Sequence, residues 1–325
     1  MVMRIVHHGY MADEPALKQQ LPYPFNQDLS QVLHHLNRRT SLGRQAPAND
    51  PVTAAYLAAA MRLVGHHIGP VAAEESAGNR GDDTIDRSVF SFLSQRAVAA
   101  EVANNPEPLP RSGNVSTMRS TWKSQSDFVA DLLNFALWSG YYPENYQETR
   151  ASGAERLVNG GDLADAAEDL AYRVTQAIEE MVSFRLQLLA IAAAERNEVI
   201  RLVVAAKYHR AHVLWRQAYA EFLEARGLRL RAGMTLDQLT SILTAVVEGA
   251  RLRAISDPAA EILDHIEHRS LLGTAALAIL NGCLEPVEDS DHRSVGQALE
   301  DMAYRRKKLP AGSALMSSPA SDDAW

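Results

Sequence analysis

Two long runs of helical periodicity restrict this chain to a helical architecture. Between residues 162 and 191, and again between 197 and 226, apolar side chains recur every three or four residues. This spacing places them on one face of an α-helix. Helices of such length must bury their apolar faces, so we expect the two to pack against each other in an antiparallel arrangement.

The composition favours an all-α fold and excludes several classes of protein. Aromatic residues are only 6% of the chain, while alanine, leucine, arginine and glutamate dominate, so helices are expected throughout. A net charge of −8 and a pI near 5.8 argue against a protein that coats nucleic acid nonspecifically. They are compatible with a regulator whose basic residues lie on one face. The single cysteine, Cys283, excludes an internal disulfide and a zinc site built from cysteines.

No stretch of the sequence has the features of a targeting or membrane segment. The amino-terminal residues lack the apolar core of a signal peptide, and no apolar run approaches the length of a membrane span. Together with the cysteine count, this predicts a cytoplasmic protein that has no membrane partner.

Residues 113–133 combine a turn, a short polar helix and a longer amphipathic helix. After the turn at Gly113-Asn114, one helical face carries the apolar residues Val115, Met118 and Trp122. The other face carries hydroxyl-bearing and basic side chains that suit hydrogen bonding to phosphates and base edges in a DNA groove: Ser116, Thr117, Arg119, Ser120 and Lys123. Ser124 precedes Asp127 by three residues, which predicts the start of the longer helix.

This stretch resembles the recognition helix of the TetR-type bacterial transcriptional regulators and the helix that follows it. The family reads roughly T-L-Y-x-x-F-x-S-K-x-x-L, and the chain reads, without a gap, Thr117-Met118-Arg119, Trp122, Ser124-Gln125 and Phe128. The resemblance implies that Thr117 and Arg119 face DNA and that Met118 and Trp122 are core anchors. It also implies that Ser124 caps the helix that leaves the DNA-binding domain.

A second resemblance to the same family lies in the carboxy-terminal half. The last two helices of the TetR-type regulatory domain read G-M-T-x-x-Q-L followed by G-x-x-L-R-x-x-x-D-P. This chain is similar to that pattern in three segments, 234–239, 249–252 and 257–258. In the family these helices form a four-helix interface with a partner subunit. The resemblance covers roughly residues 54–284 and implies a homodimer that binds a double-stranded DNA operator.

These patterns divide the chain into four parts. Residues 1–49 are an amino-terminal extension, in which 28–39 are expected to form a helix. Residues 50–140 are a divergent helix-turn-helix DNA-binding domain, and 141–285 are a helical regulatory and dimerisation domain. A connector at 138–161, which can contain short helical turns, spans the boundary between them. Residues 286–325 are predicted to be a disordered tail.

The first two helices of the helix-turn-helix have two alternative placements. One uses residues 54–65 as helix one and the end of 94–103 as helix two. The other uses 89–102 as helix one and has no second helix. We favour the first placement. A flexible loop is expected at 73–83.

Aromatic and polar side chains on the long helices indicate a pocket for a small apolar or anionic effector. The same side chains are also compatible with ordinary positions in the core of a helical bundle and at its edge. They are Tyr172, Met181, Phe184, Arg185, Tyr208, His212, Trp215 and Arg216. His209 and His212, with Glu195, Glu198 or Glu221, could in principle bind a metal but lack an H-E-x-x-H pattern. No metal, cofactor or catalytic set is therefore predicted, and the chain carries neither Walker spacing nor G-x-S-x-G.

The sequence thus predicts a non-enzymatic, TetR-like DNA-binding regulator, a dimeric repressor relieved by a small-molecule effector. The alternative is a helical dimeric protein- or ligand-binding module with a degraded DNA-reading head. Three features favour this alternative: the expanded loop at 73–83, Gln125 in place of a lysine, and the proline-rich linker 106–110.

Overall fold

Helices account for most of the chain in the computed structural model, which describes residues 21–37, 41–69, 90–141, 144–159, 161–179 and 181–308. The all-α prediction is confirmed, because the strands among these residues are only two or three residues long. They form two separate two-stranded antiparallel ladders.

Five helices lie in the described residues before Leu137. A cap residue followed by proline, as in Asp50-Pro51, predicts the start of a helix, and the longest of the five begins there. Asp50 accepts a hydrogen bond from the Val52 amide, and Pro51 occupies the first turn. The five are α1 (Ser41–Ala48), α2 (Pro51–Ile68), α3 (Gln95–Glu101), α4 (Val115–Thr121) and α5 (Gln125–Ala136). Short 3-10 turns, Ser91–Leu93 and Val102–Asn104, flank α3. The helices α2 and α3 therefore lie where the favoured placement expected them.

Seven further helices and the four strands follow. The helices are α6 (Glu144–Asn159), α7 (Leu163–Glu179), α8 (Val182–Ala194), α9 (Glu198–Ala225), α10 (Leu236–Ser256), α11 (Leu271–Cys283) and α12 (Val295–Lys308). Strand β1 (Leu228–Leu230) pairs with β4 (Leu284–Pro286), and β2 (Leu263–Asp264) pairs with β3 (Arg269–Ser270).

One apolar core joins the amino-terminal helices to the long helices. Its largest fully buried side chains are Trp122, Tyr56 and Phe128. The Trp122 ring meets the other two edge to face, at centroid distances of 6.3 Å from Tyr56 and 5.0 Å from Phe128. Ile200 and Val203, at the start of α9, belong to the same core. The short polar helix α4 is thus seated on a core that α9 helps to build.

The remaining helices pack as a bundle around α7 and α9. Helix α7 packs against α6, α10 and α11, and α9 packs against α8, α10 and α6. Thr235 and Gln238 form a reciprocal capping box at the start of α10, as their spacing predicted. No helix in the described part of the chain is long and apolar enough to cross a membrane.

The helix expected at 28–39 is wrong, since residues 28–37 form turns. The four apolar residues of the pattern, Leu29, Val32, Leu33 and Leu36, are nevertheless buried. Side chains from other parts of the chain accept hydrogen bonds from backbone amides of this segment, in place of the backbone carbonyls that would accept them in a helix. Asn49 accepts from the Leu29 amide, and Asp131 accepts from the next two amides after Leu33. Residues 38–40 lie outside the described range.

Four other expectations differ from the observed elements. The connector 138–161 contains the 16-residue helix α6, whose Gly153 is buried against Leu170 of α7. The periodic run 162–191 is two helices, with extended backbone at Met181. The sequence also predicts a final helix at 268–284, whereas the observed helix begins only at Leu271, after the β2–β3 hairpin and a Ser270 cap. In the tail 286–325, residues 295–308 form α12, whereas 309–325 and the loop 73–83 lie outside the described residues.

Candidate nucleic-acid interface and ligand cavity

The amino-terminal end of α4 is fixed by the buried phenol of Tyr56. Its hydroxyl donates to the Asn114 carbonyl at 2.8 Å and accepts from the Asn114 amide at 3.0 Å. The Asn114 side chain then caps the helix by accepting from the Thr117 amide at 2.9 Å. Gly113 passes close to this joint, because a Cβ there would lie 3.1 Å from the Tyr56 hydroxyl. The position of α4 is therefore set from α2, which lies far away in the sequence.

The carboxy-terminal end of α4 is fixed by a buried carboxylate on α5. Asp131 is fully buried and accepts from the Trp122 indole at 2.9 Å. The same carboxylate accepts from the His34 amide at 2.7 Å and from the His35 amide at 3.0 Å. Burial raises the pKa of Asp131, and the hydrogen bonds from Trp122 and from the two amides oppose that shift.

The segment 21–37 also contacts α4 directly. The Asn37 amide donates to the Thr121 carbonyl at 2.8 Å, at the last residue of the helix. The extension is thus part of the support for α4.

Sequence reasoning missed the role of Asp131 in holding α4, since an acidic residue on an amphipathic helix gives no signal of a partner about a hundred residues away.

Four of the five predicted DNA-facing side chains are exposed, on α4 and the residue after its cap. They are Ser116, Arg119, Ser120 and Lys123; Thr117 is half-buried. Thr117 and Ser120 also stabilise the helix itself, since the Ser120 hydroxyl donates to the Thr117 carbonyl at 2.7 Å. No residue between Val115 and Lys123 carries a negative charge. The outer side of α4 consequently carries short polar side chains together with basic ones.

Two polar side chains at this surface hydrogen-bond within the domain. Arg119 Nε donates to the Gln95 side chain of α3 at 3.0 Å. Gln125, at the position where the family has a lysine, is half-buried, and its amide donates to the Leu93 carbonyl. In this conformation Gln125 links α5 to the turn before α3.

The predicted effector residues lie in several different environments in the described part of the chain. Tyr172 is buried and its hydroxyl lies 3.1 Å from His265 Nδ1 in the β2–β3 hairpin. Met181 packs with Phe184 and its neighbours at the start of α8, and Arg185 is half-buried on the same helix. These residues belong to the packing of the bundle.

Tyr208 lies in a polar cluster between α8, α9 and α10. Its hydroxyl donates to Glu248 at 3.1 Å and accepts from Gln187 at 3.2 Å, and Lys207 Nζ lies 3.5 Å from Glu248. Burial and the Glu248 charge raise the pKa of Tyr208 to about 12. Burial lowers the pKa of Lys207, with Glu248 opposing. The cluster is internally satisfied, which suits a structural role.

His212 and Arg216 share an acidic partner on α10. His212 Nε2 and Arg216 Nε lie 3.0 Å and 2.9 Å from the same Asp237 oxygen. The hydrogen bond from His212 is the main reason that the pKa of Asp237 is lowered. Among the described residues no group of three His, Cys, Asp or Glu side chains could hold a metal ion.

Trp215 is the predicted effector residue that lines a cavity. The cavity has a volume of about 310 Å³ and lies between α6 and α9. Its lining includes Glu155, Leu157 and Asn159 of α6 and Trp215, Tyr219 and Glu221 of α9. The α6 residues were missed because the sequence patterns did not indicate that α6 forms a regular helix.

Comparison of the chain with protein-family models, with curated proteins and with solved structures finds no match.

Proposed function

We propose that this protein is a non-enzymatic, dimeric, TetR-like transcriptional regulator, a repressor that binds an operator in double-stranded DNA and is released by a small-molecule effector. The observation that carries the proposal is the seating of α4. Buried groups hold both of its ends, Tyr56 at the start and Asp131 through Trp122 at the end, while its outer side remains polar and basic.

The dimensions of α4 suit a DNA groove. Seven residues form a helix about 10 Å long at about 1.5 Å per residue. The major groove of B-DNA is about 12 Å wide and admits an α-helix. Serine, threonine and arginine side chains on that helix match donors and acceptors on phosphates and base edges. A helix held at both ends presents them with little loss of conformational freedom.

The dimer proposal is supported by an apolar strip on α10 and α11. Ile242, Leu252 and Leu271 are 38%, 48% and 53% exposed, although they belong to helices that pack against each other. Gly249 lies one or two turns from Ile242 and Leu252, on the same face of α10, and a Cβ there would meet no atom within 4 Å. An open glycine between large apolar side chains allows a second helix to approach closely. A two-fold dimer would cover this strip with its own copy.

A protein- or ligand-binding module with a degraded DNA-reading head remains the second candidate. It is favoured by the hydrogen bonds that Arg119 and Gln125 make to neighbouring groups of the same chain. If Arg119 does not leave Gln95 to contact DNA, the predicted DNA-facing surface has lost one of its two cationic side chains, and Lys123 is the other.

Selection from a randomised duplex pool, followed by fluorescence anisotropy at several salt concentrations, distinguishes the two functions. A regulator enriches a palindromic site. Arg119→Ala and Lys123→Ala each weaken binding to it and lower the magnitude of the slope of log K against log salt by about 2, since a dimer loses one phosphate contact in each half-site. Arg196→Ala, an exposed arginine between α8 and α9, is the matched control and should leave both quantities unchanged. A dimer that enriches no duplex supports the degraded head.

A further inference from the structure

The cavity between α6 and α9 has an acidic rim. Glu155 on α6 and Glu221 on α9 both line it and are both exposed to solvent. None of the described residues that line the cavity is basic. The last turn of α6 also borders it through Leu157 and Asn159, and a helix carboxy terminus carries a partial negative charge. These three features give the cavity a negative potential.

Two described arginines beside the cavity lining, Arg156 and Arg226, contact other groups of the chain. Arg156 forms an ion pair with Asp169 of α7 at 2.5 Å. Arg226 donates from Nε to the Leu157 carbonyl at 2.9 Å and from its terminal nitrogen to the Arg156 carbonyl at 3.4 Å. Arg226 therefore offsets part of the charge at the end of α6. Glu221 accepts a hydrogen bond from the neutral side chain of Gln217 at 3.0 Å, and neither Glu155 nor Glu221 forms an ion pair with a described side chain.

The cavity wall that α9 provides is aromatic. Trp215 and Tyr219 are stacked with their ring centroids 5.8 Å apart and their planes 25° apart. Burial raises the pKa of Tyr219, so its phenol is neutral at physiological pH. Neutral indole and phenol rings attract an organic cation through their faces. Leu157 and Phe222 add apolar surface, which suits a ligand that has an apolar arm.

We propose that this cavity binds a small lipophilic organic cation, such as a quaternary ammonium that carries an aromatic arm. The rings of Trp215 and Tyr219 contact the cation and its arm, and Glu155 and Glu221 supply the opposite charge. This class of ligand differs from the apolar or anionic effector that the sequence suggested. A cation is favoured because the lining combines aromatic faces with carboxylates, and none of its described residues is basic.

The second part of the inference rests on the proposed function: the cation is the effector of the regulator. Helix α9 connects the two sites, since it carries Trp215 and Tyr219 at the cavity and Ile200 and Val203 in the core that holds Trp122. A ligand that favours one placement of α9 relative to α6 would shift the equilibrium between placements of α4. The fold decrease in DNA affinity is then set by the ratio of the cation's affinities for the two placements of α9.

Isothermal titration calorimetry of the full chain with benzyltrimethylammonium tests the site without DNA. The cation should bind at least about tenfold more tightly than benzyl alcohol, and benzoate should not bind, since the rim carries two negative charges. Glu221→Gln should weaken binding of the cation about fivefold, with a similar loss for Trp215→Leu. Glu224→Gln, an exposed glutamate three residues further along α9, is the matched control and should bind as the original protein does.

Equal affinity for benzyltrimethylammonium and benzyl alcohol would overturn the cation assignment, as would an unchanged affinity in Glu221→Gln. Glu155→Gln repeats the charge test from α6 if the α9 variant does not fold. For the effector role, saturating cation should weaken binding to the selected duplex at least about fivefold. An unchanged duplex affinity refutes that role alone. A chain that binds the cation but selects no duplex refutes the regulator, while the cation site stands.

Discussion

The substitution Asp131→Ala tests whether one buried carboxylate joins the amino-terminal segment, α4 and α5. It removes the acceptor of three hydrogen bonds, from the Trp122 indole and the amides of His34 and His35. Each buried donor left without a partner costs about 1–3 kcal/mol. Partial access of water to the vacated volume reduces the sum, so we expect the free energy of unfolding to fall by about 3–5 kcal/mol.

Asp131→Asn gives an intermediate result because its amide retains one oxygen. That oxygen can still accept from the His34 and His35 amides, whereas its NH₂ group would face the indole N–H of Trp122. One lost hydrogen bond should cost about 1–3 kcal/mol.

Urea unfolding followed by tryptophan fluorescence measures both Asp131 variants. Asp289→Ala, an exposed aspartate in the loop after β4, controls for the loss of a carboxylate. The reasoning is refuted if Asp131→Ala changes the free energy of unfolding by less than about 1 kcal/mol, or if the alanine and asparagine variants are equally stable.

Two further predictions concern an ion pair and the apolar strip. Hydrogen bonds from Asn104 and Arg62 outweigh the opposing effect of burial and lower the pKa of Glu101, so its contribution to stability is present at neutral pH and is lost as pH falls through the lowered value. Glu101→Gln should therefore cost about 1 kcal/mol at neutral pH in urea unfolding and nothing in acid, and equal costs at both pH values would contradict this. Gly249→Arg should convert a dimer to a monomer in light scattering without loss of helicity, because arginine favours a helix by about 1 kcal/mol over glycine and the site is open. Ala220→Arg on α9 is its control, and a Gly249→Arg protein that stays dimeric excludes this strip as the interface.

Local signals in the sequence determined where many helices begin. The Asp50-Pro51 start of α2, the capping box of Ser124 with Asp127 and that of Thr235 with Gln238 all involve residues within three positions of one another. Helical periodicity also identified the buried faces of α2, α5 and α7. On α9 the pattern was correct for Ile200, Val203 and Phe222 but wrong for Val213 and Leu214, which are exposed. On α4 it separated buried Met118 from the exposed polar side. These features follow from the geometry of one helix, so that no knowledge of the partner helices is needed.

Tertiary structure decided which of these surfaces meet. Leu29 and Leu33 have helical spacing, yet their segment forms turns because Asn49 and Asp131 accept its amide hydrogen bonds. Trp215 lines a cavity while Tyr172 packs against the β2–β3 hairpin, although both looked alike as aromatic residues on long helices. The sequence determines which side of each helix is apolar, because that property depends on neighbours three and four residues away. The rotation and pairing of the helices depend on the simultaneous packing of residues that are remote in the chain, and that packing places Asp131 beneath α4 and the cavity between α6 and α9.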